Sequence, residues 1–81
     1  MIKVEPKYKD MHDEIRQVLR SNLLEVIDEW GISQGAAAIR LGVAREFLNK
    51  LINDGGQRAS IDTLMVMLMR AGKSVSVVVN Y

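Results

Sequence analysis

Gly42 separates two short stretches of helical pattern, and that division constrains the fold more than any other feature of the sequence. Gln34 to Leu41 is Ala-rich, with Ala37, Ala38 and Leu41 on one side. Ala44 to Asn53 sets Leu48, Leu51 and Ile52 on one side and Arg45, Glu46, Asn49, Lys50 and Asn53 on the other. Ser33 is placed to cap the first stretch, and Asp54-Gly55-Gly56 to stop the second. The small side chain of Ala38 lets two helices approach closely, and Gly42 permits a sharp turn between them. Val43, Leu48 and Leu51 then lock the second helix at a fixed angle, so its outward polar residues are held rigidly.

The rest of the chain supplies a scaffold for this unit. Residues 1–9 read as an extended arm, with Ile2 and Val4 alternating against Lys3 and Glu5 and with Pro6 opposing a helix. From Met11, apolar residues recur at Ile15, Val18, Leu19, Leu23, Val26, Ile27 and Trp30 in helical spacing, with Asp10 as cap and Gly31 as stop. Asn22 interrupts this stripe and leaves open two shorter helices meeting near Ser21. Ser60 caps a further helix from Ile61 to Ala71, with Asp62 in its first turn and Gly72 at its close. Ser74 to Val79 is β-branched and partly alternating, and reads as one strand.

A lone strand needs hydrogen-bond partners, and the chain offers either Ile2 to Glu5 or the same strand of a second copy. The run Leu64-Met65-Val66-Met67-Leu68-Met69 is apolar all round, which a small monomer cannot cover. The expected architecture is therefore mainly α, with four or five helices in a domain over 10–72, a central helix-turn-helix over 33–54, and a C-terminal strand in 73–81 that pairs across a dimer. Met65, Met67, Met69, Val75, Val77 and Val79 are the expected dimerisation residues.

With 81 residues the chain makes one domain whose core is only marginally stable, so a partner subunit is expected. It has no cysteine, which excludes disulfides, thiolate metal sites and a cysteine nucleophile. No apolar run approaches the ~20 residues of a membrane span, and the expected location is the cytoplasm. Residues 1–30 carry five Lys/Arg against seven Asp/Glu, whereas residues 31–81 carry six against three. The excess of positive charge in the second part suits a face that meets phosphate. His12, the single histidine, stands beside Asp13 and Glu14 in a first helical turn and is read as surface. No phosphate loop, nucleophile triad or pocket-forming pair of carboxylates is present, so the chain is read as no enzyme and as needing no cofactor or metal.

Ser33-Gln34, Ala38, Gly42-Val43, Leu48, Leu51 and Asn53 fall in the spacing of the XRE-type, lambda-repressor-like regulators, and the sequence resembles that family from Leu23 to Tyr81. Ser60-Ile61-Asp62-Thr63-Leu64 resembles its next helix start. Ala71-Gly72-Lys73 with the valine-rich strand is similar to a compact subgroup that includes prophage-type regulators and the antitoxins of toxin-antitoxin pairs. The resemblance implies a homodimer on double-stranded DNA, and the subgroup adds a small toxin protein as a further partner. It implies that Gln34 bonds a phosphate and that Arg45, Glu46, Asn49 and Lys50 lie in the major groove. Asn53, Gln57 and Arg58 would meet flanking phosphates. Three residues depart from the pattern: Ala44 where the family has a Ser or Thr cap, Gly35 early in a helix, and Phe47, which is expected to be partly buried. The rival reading is a helical protein-interaction module without DNA binding, for which Glu46 on the presumed reading face is the motive.

Overall fold

The structure, a computed structural model, describes residues 2–4, 11–53 and 59–78. Its elements run β1 (Ile2–Val4), α1 (Met11–Trp30), α2 (Gln34–Leu41), α3 (Arg45–Asn53), α4 (Ile61–Arg70) and β2 (Val75–Val77). The fold is thus mainly helical, as the apolar spacing and the caps require.

α1 is continuous through Asn22, because the Asn22 amide donates back to the Val18 carbonyl four residues earlier, at 2.8 Å. The polar side chain is absorbed by its own helix, and the apolar stripe survives. Leu19, Leu23 and Val26 are buried, and Ile15, Val18, Ile27 and Trp30 pack around the core. α1 lies mainly against α4, whose Leu64, Met67 and Leu68 fill the space between them. Among the described residues no polar or charged residue is buried.

α2 and α4 begin and end by the same devices. The Ser33 hydroxyl accepts from the Ala36 amide at 3.2 Å, and that of Ser60 from the Thr63 amide at 3.1 Å. At the other end of α2 the Val43 amide donates to Ala38 O and the Gly42 amide to Ile39 O, with Gly42 at φ +70°. α4 repeats the pattern with Lys73 to Leu68 O and Gly72 to Met69 O, Gly72 standing at φ +84°. Each arrangement satisfies carbonyls that a helix end leaves free, and each turns the chain sharply. The caps assigned to Asp10 and to Asp54-Gly55-Gly56 lie outside the described residues.

Two expectations are corrected. The C-terminal strand was expected to pair across a dimer, but β2 pairs with β1 of its own chain, in parallel, with Ile2 opposite Val75, Lys3 opposite Ser76 and Val4 opposite Val77. The Ile2 amide also donates to Ser74 O at 2.8 Å, and Ile2 is buried, so burial and pairing act together. β2 is three residues long, as is its partner, rather than the six read from Ser74 to Val79; Val79 lies outside the described residues. The second correction concerns α4. Met67 was expected at a dimer contact, yet it is fully buried, because the spacing of 64, 67 and 68 turns all three towards α1. Met65 packs at the margin of the core, while Met69 is 54% and Val66 39% exposed. Among the described residues no helix is long and apolar enough to cross a membrane.

Candidate nucleic-acid interface

α2 and α3 pack on one another across the Gly42 turn. Ala37, Ala38 and Leu41 from α2 and Leu48 and Leu51 from α3 are all buried, which turns the polar side of α3 outward. Phe47 is half-buried and packs against the core, as expected. The α3 backbone starts at Ala44, whose carbonyl accepts from the Leu48 amide at 3.1 Å. Having no side-chain acceptor, Ala44 leaves the first amides of α3 unanswered by a cap.

Arg45, Glu46, Asn49 and Lys50 are all exposed and line one open, shallow groove. Asn49 is held from two sides. Its Nδ2 donates to Gln34 Oε1 at the start of α2, at 3.1 Å, and its Oδ1 accepts from Asn53 Nδ2, also at 3.1 Å. Asn53 Nδ2 lies 2.9 Å from the Asn49 carbonyl as well. Gln34, Asn49 and Asn53 therefore form one chain of amides bridging the two helices. A carboxamide has two donor hydrogens and one oxygen with two lone pairs. After these bonds Asn49 keeps one donor and one acceptor, held in a fixed orientation.

Two arginines that the sequence reading passed over support the pair of helices from the scaffold. Arg20 of α1 donates through Nε to Leu51 O and through Nη2 to Ile52 O, both at 3.0 Å. Arg70 of α4 donates through Nη1 to Leu41 O at 3.0 Å and to Gly42 O at 3.3 Å. One signal for Arg20 is in the sequence: it falls at the edge of the α1 stripe, beside Ile27 on a helical projection, where a charged side chain needs a partner. Its acceptors, 31 and 32 residues away, have no sequence signal. Arg40 of α2 covers the Trp30 ring, with its guanidinium carbon 3.9 Å from the ring centre, and so ties α2 to the end of α1.

Six of the eight expected DNA-contact residues are thus gathered in two helices. Gln34, Arg45, Glu46, Asn49, Lys50 and Asn53 share the α2–α3 surface; Gln57 and Arg58 lie outside the described residues. His12 is exposed, with Nδ1 3.3 Å from Arg16 Nη2, and Arg16 also pairs with Asp13 at 3.3 Å. Among the described residues no three His, Asp or Glu side chains are grouped as a metal ion requires.

Comparison with curated proteins and with solved structures gives no match. The family described as "Helix-turn-helix domain" matches residues 7–80, nearly the whole chain. This range includes both motif helices, the capped α4 that braces them and the returning strand. The chain belongs to the helix-turn-helix domain family.

Proposed function

We propose that the protein is a sequence-specific transcriptional regulator that binds a palindromic operator as a homodimer, with α3 in the major groove. The observation that carries this reading is the state of Asn49. One donor and one acceptor remain on a side chain fixed by Gln34 and Asn53, and that pair matches the N7 acceptor and N6 donor of adenine. Arg45 and Lys50, exposed on either side, are suited to guanine or phosphate, and Glu46 to the amino group of cytosine. Gln34, which accepts from Asn49, keeps its amide nitrogen as a donor for a phosphate near the α2 N-terminus. Asn53, Gln57 and Arg58 add flanking phosphate contacts. In this role the protein is not an enzyme and acts where the DNA is.

The dimer is supported by apolar side chains that stay exposed on α4 and at the end of β2, namely Val66, Met69, Val77 and Val78; Ile32 and Ile39 are exposed as well. A two-fold axis beside this surface would set two α3 helices in successive major grooves, about 34 Å apart. The narrower role of antitoxin rests on resemblance to the compact subgroup. A neighbouring gene for a basic protein of roughly a hundred residues would favour it.

Selection from random-sequence duplexes at two salt concentrations tests the reading. A palindrome should be enriched, with affinity falling as salt rises. Weak binding without enrichment would instead favour the protein-interaction module that Glu46 on this face suggests.

A further inference from the structure

α3 rests chiefly on α2. Its first end follows the Gly42 turn, and its middle is held to α2 by the hydrogen bond from Asn49 Nδ2 to Gln34 Oε1. Its far end, at the last turn, is tied to the scaffold by Arg20, whose Nε and Nη2 reach the carbonyls of two consecutive residues, Leu51 and Ile52. A helix leaves its last four carbonyls free and carries partial negative charge there, so a half-buried cation at this point satisfies both needs at once.

We propose that Arg20 is a positioning residue for base readout, which never touches DNA but sets the tilt of α3 and thereby governs discrimination between operator and unrelated sequence. The assignment rests on the DNA-binding reading above. α3 has nine residues. A tilt of about 10° about the turn would carry the far end of such a helix sideways by about 2 Å, whereas a hydrogen bond to a base edge holds its geometry over a few tenths of an ångström. Phosphate contacts through long, charged side chains tolerate that displacement far better. The geometry also demands arginine. Nε and Nη2 lie in one rigid plane and meet both carbonyls together, while a lysine ammonium keeps the charge without the fork.

The test compares the full chain with Arg20→Lys and Arg20→Met. Affinity is measured across salt for the operator recovered with the wild type and for an unrelated duplex of equal length, and amide hydrogen exchange is followed in α3 and α4. Arg20→Lys should bind unrelated DNA within about twofold of wild type and with the same salt dependence, while its operator affinity falls about tenfold. Exchange should rise in α3 and not in α4, and Arg20→Met should show the same loss of discrimination. An unchanged ratio of operator to unrelated affinity in both variants overturns the assignment. So does a loss of both affinities in equal proportion, which is what partial unfolding produces, or exchange that rises equally in the two helices. A wild-type chain that enriches no sequence overturns the DNA-binding reading and the assignment together, whereas enrichment with an unaltered variant ratio overturns the assignment alone.

Discussion

Gly42 meets two demands at one position. Its φ of +70° belongs to the left-handed region, and a Cβ built on it would stand 2.5 Å from Arg70 Nη1. Gly42→Ala therefore strains the backbone by about 1 kcal/mol and pushes the guanidinium off the Leu41 and Gly42 carbonyls, which adds about another 1 kcal/mol. Urea denaturation should show a loss of about 2 kcal/mol in total with an unchanged slope; a loss below about 0.5 kcal/mol would mean that the turn relaxes freely. The need for glycine here was legible from the sequence as a helix stop. Its approach to Arg70 was not, since Arg70 lies 28 residues further on and nothing local links the two.

The separate elements were legible to different degrees, and the reason is the range of the interactions that define them. α2 and α4 could be read closely because Ser33, Ser60, Gly42 and Gly72 are local signals within one turn of the ends they set. The unity of α1 was harder, since it depends on which acceptor Asn22 selects. The amide chain of Gln34, Asn49 and Asn53 was legible as outward polar residues but not as a connected set, because its main bond joins residues 15 apart. α3 carries a plain defect, Ala44 at its cap position. Ala44→Ser should supply the missing acceptor and raise stability by about 1 kcal/mol, measured as a higher urea midpoint. Serine at this site that fails to stabilise would show that the amides of the first turn are already satisfied.

At the scale of the molecule, the α4 and β2 surface links folding to assembly. A chain ending at Gly72 loses β2 and uncovers Ile2, yet keeps the α1–α4 and α2–α3 contacts. Sedimentation should show it as a monomer with helical circular dichroism and a steep loss of operator affinity; a dimer of unchanged strength would place the subunit contact elsewhere. The pairing of β1 with β2 was the least legible feature of the fold, because parallel strands at opposite ends of the helical region carry no turn between them to announce the register. That pairing also imposes an order on events during synthesis. β1 leaves the ribosome before the four helices described here, and β2 only after them, so the strand pair cannot form until all four have been made. The helices, whose contacts are nearer in sequence, can assemble in the interval, and the strand pair then closes over a body already formed.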